Sequence, residues 1–444
     1  MKVPYKTIFT ATLILWFACS SVVLAITDDE ERKYGKEIYR EIVRSAPVNN
    51  DPYISLYLNT IKEKLEAKAA LPFSVTLTII DAPMLDAFTT MGGYVYVTTG
   101  LIALCDKEEE LAGVLAHEFG HIKKRHVAKM MEKQKYINIG MLSTMLLGML
   151  VGAGQTPAAV ITSGAAGAQA MSLQFTREDE EEADREGAII ADKTGYGPLG
   201  TVEFLKKLRA TGTGGDKMLP QYLLTHPYHE ARIVALESIW GVNRVVPDWP
   251  FFPYLVVRAN ILHRPPGTSI DDMLANRYLK DKDNPVNNYA VSLIYALKGD
   301  SEASVRIAGE NGSAFKSLFL GEMLVNARKF REAVEVLKNG TDPIEHFFLA
   351  KAYDGLGIND AAISSLKGLT TYGTIFPEIY YRLGMLYGRT GQEAHGYEYL
   401  GRYYLATGNL SLARTNLEKA VSRYGINSPE AGELMKLLAE IKRK

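Results

Sequence analysis

Two cysteines in 444 residues are too few for a disulfide framework. Cys19 falls in an apolar amino-terminal stretch and Cys105 stands alone, so no intramolecular disulfide is expected in the mature chain. Export does not require one, because a chain this long buries its own core. An excess of one charge sign is also missing: 50 Lys and Arg face 51 Asp and Glu, a net charge of −1. That removes the global pull nucleic-acid binding depends on, and no nucleic-acid partner is expected. Residues 137–176 lack charge altogether. The run from Ile137 to Gly154 is long enough to span a bilayer. Gly140, Gly148, Gly152 and Gly154, with Ser143 and Thr144, make it a poor span. A buried or membrane-facing hairpin is the expectation, with peripheral membrane contact through 137–170.

Hydrophobic residues make up 47% and charged residues 23%, which excludes disorder as the default, and the length suggests two or three domains. Lys2 and Lys6 precede an uncharged run from Thr7 to Ala25, which ends before the acidic Asp28-Asp29-Glu30. This order predicts a secretory signal peptide over 1–25 and an exported protein. An uncleaved anchor competes, as does lipid attachment at Cys19, although Trp16 stands where such sites carry Leu.

Residues 28–70 read as helical. Ser74–Ile80 and Tyr94–Thr99 read as strands, Glu109–Lys133 as one helix, and Arg177–Gly195 and Thr201–Thr211 as two more. Pro247, Pro253 and Pro265-Pro266-Gly267 mark a boundary near 245–265. Beyond it, Gly357 and Gly391 lie 34 positions apart in similar helical contexts, the tetratricopeptide period, and Gly408 follows half a period later. Each such pair of helices leaves an apolar face for its neighbour.

His117-Glu118-Phe119-Gly120-His121 carries the chemistry. Positions i and i+4 share a helix face, so both imidazoles reach one cation, while Glu118 projects about 100° away. Zinc lowers the pKa of the water it holds toward roughly 7, and a nearby carboxylate can take that proton. A catalytic zinc needs a third protein ligand. The acidic run Glu178 to Glu186 offers Glu180, Glu181 and Asp184, and composition does not choose among them. His126, nine positions after His117, falls on the wrong face of a continuous helix and reads as structural.

The chain resembles the gluzincin peptidases that include HtpX and the CAAX prenyl proteases, above all periplasmic members with carboxy-terminal tetratricopeptide repeats. The resemblance rests on the HExxH residues and on Arg177-Glu178-Asp179-Glu180-Glu181-Glu182-Ala183-Asp184. It also rests on Gly92-Gly93-Tyr94-Val95-Tyr96-Val97 and on Thr225-His226-Pro227 followed by Arg232. It implies one zinc held by His117, His121 and Glu180, Glu118 as the base, and Asp184 orienting a ligand. His226 is implied either to plug the metal or to steady the oxyanion. The implied fold is mainly α with a small β-sheet (α+β, zincin-like), followed by an all-α tetratricopeptide-repeat solenoid. The implied divisions are a peptidase domain over 26–250 and repeats over 251–444. The implied activity is endoproteolysis of misfolded or stalled outer-membrane proteins in the bacterial envelope. An extended substrate would add beside Tyr94–Thr98, and the repeats would dock the assembly machinery. A repeat-based chaperone scaffold with a latent metal site is the alternative.

Overall fold

The computed structural model describes residues 25–133, 139–151, 174–212, 222–227, 230–240, 249–264, 267–281 and 283–442. The expected signal peptide lies outside them apart from Ala25, as does most of the second half of the expected 137–176 hairpin.

The described chain is mostly helical with one three-stranded sheet. Helices α1 (Asp28–Ser45) and α2 (Pro52–Ala69) replace the single helical stretch expected over 28–70. Asp51 caps α2, accepting from the amides of Tyr53 and Ile54, and Pro52 starts it with the φ a first turn needs. Strands β1 (Thr76–Ile80), β2 (Ala87–Thr90) and β3 (Tyr94–Thr98) follow, in the order β1-β3-β2. β3 pairs in parallel with β1 and antiparallel with β2. Both edges of Tyr94–Thr98 are therefore taken, and no substrate strand can add there. The outer edges of the sheet among the described residues belong to β2, a strand that the sequence pattern did not predict, and to β1, which Val48 and Asn49 cover at its end.

Alternation along the strands separates two cores. Leu77, Ile79, Ala87, Val95 and Val97 face a large core that runs without a break from α2 to Tyr387. Ile80, Phe88, Tyr94 and Tyr96 face a smaller one with Ile38 and Ile42 of α1.

After α3 (Thr99–Leu104) comes α4 (Glu108–Lys124), which ends where Arg125 takes the left-handed conformation at φ 57°. The single helix expected over 109–133 is thus two, and α5 (His126–Lys133) leaves in a new direction. Helix α6 (Ile139–Val151) covers the smaller core with Leu142 and Leu146. No described helix is long and apolar enough to cross a membrane. Helix α7 (Arg177–Lys193) begins with a capping box between Thr176 and Asp179, which puts Glu178, Asp179 and Glu180 at the positive end of the helix dipole. Helices α8 (Leu199–Gly212), α9 (Tyr222–Thr225), α10 (Glu230–Trp240) and α11 (Phe252–Leu262) complete this half.

Residues 285–442 hold ten described helices that pack in sequence order. Gly357, Gly391 and Gly408 lie in turns between them at φ 74°, 77° and 78°. Buried Arg258 on α11 joins the halves: it pairs with Asp51 at 2.7 Å and Glu322 at 2.9 Å and donates to the Tyr289 hydroxyl oxygen.

Candidate metal centre

The site is built where α4 and α7 nearly touch. A Cβ on Gly120 would sit 2.4 Å from the Ala183 carbonyl oxygen, and one on Gly187 would sit 2.8 Å from the His117 amide nitrogen. Only glycine at both positions lets the backbones approach this closely. That approach brings Glu180 against the two histidines of α4.

His117 Nε2 and His121 Nε2 are 3.0 Å apart. Glu180 Oε2 lies 3.5 Å from the first, and Glu180 Oε1 lies 3.4 Å from the second. His226, just after α9, points Nδ1 into the same group, 3.3 Å from His117 Nε2 and 2.9 Å from Glu180 Oε1. Four ligand atoms, one each from His117, His121, Glu180 and His226, lie within 4.8 Å of one another, and all four residues are buried. Of the carboxylates that composition left open, Glu180 faces this group and Asp184 stands behind it, while Glu181 is exposed.

Asp184 accepts from His117 Nδ1 at 2.9 Å, which leaves His117 Nε2 bare toward the group. Arg232, fully buried on α10, grips Asp184 at 2.6 and 2.8 Å and meets Glu180 Oε2 at 2.7 Å. The phenyl ring of Phe175 stacks on His121 at 4.0 Å, and the Tyr222 ring stacks on His226 at 4.5 Å. These flanking residues carry little sequence signal. Arg232 was visible only as a motif residue, and Phe175 only as the last aromatic before the acidic helix.

Burial alone would neutralise Asp184, but the Arg232 guanidinium overrides it and holds the carboxyl well below its usual range. Burial would also raise Glu180, and the His226 ring and Arg232 reverse this. Glu118 goes the other way. Burial, then the Glu180 and Asp86 carboxylates, push it well above the ordinary range. Burial likewise pushes Asp86 up to about 8. Neither carboxylate oxygen of Glu118 has a hydrogen-bond partner among the described residues, and neither does His226 Nε2, 3.5 Å from Glu118 Oε1.

This donor set fits a divalent ion. A tetrahedral zinc with bonds of ~2.0–2.1 Å separates its ligand atoms by roughly 3.3–3.4 Å, close to the spacings from His117, His121, Glu180 and His226. Buried acids with one arginine between them, and bare ring nitrogens 3.0 Å apart, are costly unless a cation lies among them.

Helix-borne histidines, a carboxylate from a second helix and an unpartnered acid beside them define a metallopeptidase. Residues 55–240 match the model of peptidase family M48, whose members depend on a metal. The chain is 29% identical to the beta-barrel assembly-enhancing protease of Yersinia pestis over 95% of this chain and 83% of that protein. It is 28% identical to the protein of the same name in Escherichia coli (strain K12), over 73% of this chain and 70% of that one. The mitochondrial metalloendopeptidase OMA1 of Schizosaccharomyces pombe is 26% identical over 47% of this chain and 61% of its own length.

Proposed function

We propose that the chain is a gluzincin-type zinc endopeptidase, here in a self-plugged state, that works in the periplasm on misfolded or stalled outer-membrane proteins. The observation that carries the reading is the convergence of His117, His121, Glu180 and His226 around one ion-sized point, with Glu118 beside it. In this reading His117, His121 and Glu180 hold the zinc, and Asp184 fixes the His117 tautomer. A zinc bound there would supply Lewis acidity toward a carbonyl oxygen and would lower the pKa of its water toward roughly 7. Glu118 accepts the water's proton on its carboxylate and delivers it to the departing amine nitrogen. The free edge of β2 aligns an extended substrate by strand pairing, since Glu118 lies against the Thr89 backbone.

Two features support a closed state. His226 Nδ1 lies among the proposed ligand atoms, where a water or substrate oxygen would sit, and this supports the plugging role over the oxyanion role. The space beside Phe88, Thr89 and Thr90 is a cavity of about 30 Å³ lined also by Leu142, Leu146, Phe175 and Thr225, far below the roughly 300–1,000 Å³ of ligand-holding pockets. Opening requires His226, Phe175 and α6 to move. This closure also favours the second reading, a repeat-based scaffold whose metal site stays latent.

The substrate class and the envelope location follow the relatives' names, together with a signal peptide over 1–25. In the same reading 26–250 is the peptidase domain, 251–444 is a tetratricopeptide-repeat solenoid that docks the assembly machinery, and 137–170 touches the membrane surface. The test measures zinc content and casein cleavage. Glu118→Gln should keep about one zinc per chain and lose activity by about 10²–10⁴-fold. His226→Ala should keep the zinc and cleave faster. Unchanged cleavage by the Glu118→Gln chain would end the peptidase reading. A zinc-loaded His226→Ala chain that cleaves nothing would favour the scaffold.

A further inference from the structure

We infer that His126 is a positioning residue for His121, relaying the pull of Glu182 to the metal-facing nitrogen; this rests on the metal-site reading above. On a continuous helix His126 would point away from the site. Arg125 in the left-handed conformation breaks the helix, and the next residue turns its ring back onto His121. The two rings stand 5.0 Å apart at 75°, edge to face. Their Nδ1 atoms are 2.9 Å apart, and His126 is fully buried.

Two ring nitrogens at that distance share one proton, so one donates and the other accepts. The far side of His126 decides which. Its Nε2 lies 3.2 Å from Glu182 Oε2 and 3.6 Å from Asp179 Oδ1, and an ionised carboxylate only accepts. His126 therefore carries its proton on Nε2 and presents a bare Nδ1. His121 must donate through Nδ1, which leaves its Nε2 lone pair facing His117 and Glu180. The opposite arrangement would put a proton on His121 Nε2 and remove it as a ligand. His117 is oriented directly by Asp184, which is buried and gripped by Arg232. His121 is oriented at second hand, from a carboxylate that is 45% exposed. The two ligands of one motif thus receive unequal support.

The bland account makes His126 a packing residue beside Phe175, 6.2 Å away between ring centroids. A leucine there would pack but leave His121 Nδ1 without an acceptor. The experiment uses the full mature chain and measures zinc affinity by competition with a chromophoric chelator, the visible spectrum of the cobalt-substituted protein, and melting of the metal-free protein. His126→Leu should weaken zinc binding about 10–100-fold, as loss of a ligand-orienting partner does, and alter the cobalt spectrum. His126→Asn, whose Oδ1 falls near the lost Nδ1, should recover most of that affinity. Glu182→Ala should weaken binding by roughly 10-fold, at the lower end of the same range. Wild-type affinity and spectrum in the His126→Leu chain would overturn the inference. So would equal losses in the Leu and Asn variants that track only a lower melting temperature. A wild-type chain that binds neither ion would sink the metal-site reading and this inference with it, a pattern distinct from both.

Discussion

Replacing Gly120 with alanine adds one methyl group whose nearest neighbours are backbone atoms of Ala183, none of them metal-facing, yet it should cost the chain its metal. The new Cβ would lie 2.4 Å from the Ala183 carbonyl oxygen and 2.9 Å from Ala183 Cα. Ordinary contact begins near 3.4 Å, so α4 and α7 must part by about 1 Å at this point, given the steepness of close repulsion. Glu180 sits one turn before Ala183 and moves with it. Metal sites tolerate about ±0.2 Å in ligand distance, several times less than this shift. Stability should suffer much less. Overpacking costs about 1–3 kcal/mol, and alanine's helix preference over glycine returns roughly 1 kcal/mol. The expected result is a folded protein, destabilised by about 0–2 kcal/mol, whose zinc affinity falls at least about 10-fold. Thermal unfolding with and without zinc separates the two effects: the metal-free melt should shift little, and the stabilisation by added zinc should largely vanish. Gly187→Ala, with its nearest contact at 2.8 Å, should show the same effect more weakly. A Gly120→Ala chain stabilised by zinc as strongly as wild type would refute the claim that helix contact sets the ligand geometry.

Arg232→Met leaves Asp184 and Glu180 buried without their cation; metal-free stability should fall by about 3–5 kcal/mol in urea unfolding, and a loss under about 1 kcal/mol would contradict the role given to this ion pair. Asp86 is fully buried with both carboxylate oxygens unpartnered, faces Glu118, and is pushed up to about 8. Its folded value is above its unfolded one, so its contribution is full below about pH 4 and is lost as pH rises through 8. Asp86→Asn should therefore raise the melting temperature at pH 8 and change it little at pH 4; equal shifts at both would count against a protonated Asp86. Asp184 has the opposite sign: its folded value is depressed, so its support is present above its usual 3.8 and lost as pH falls toward the lower folded value. Acid unfolding of Asp184→Asn should show a weaker dependence on pH in that range than wild type, read by circular dichroism.

Much of the helical framework was legible because periodicity and capping are local. The β-branched and aromatic run at Tyr94–Thr99 announces β3 without a neighbour in view, whereas the stop at Asp51-Pro52 is just as local yet is missed by the helical reading over 28–70. β2 escaped because Ala87–Thr90 is four residues long with no alternation to announce it. The break at Arg125 escaped because left-handed arginine has no sequence signature, and with it went the placement of His126. Composition left Glu180, Glu181 and Asp184 equivalent, and only the family resemblance singled out Glu180 and Asp184; the α4–α7 contact at Gly120 and Gly187 supplies the physical reason, setting one acid against the histidines, one behind, and one in solvent.

What the sequence settled alone was the set of groups able to do the chemistry: two histidines one helical turn apart with an acid between them, because a helix fixes that spacing by itself. Tertiary structure decided everything that depends on a meeting between distant segments. It set Glu180 against the two histidines, brought His226 into the same group, paired both edges of β3, and turned His126 back toward His121. Each of these is set by how closely two backbones can approach and where a buried charge finds its partner, and neither quantity is written in any one stretch of residues.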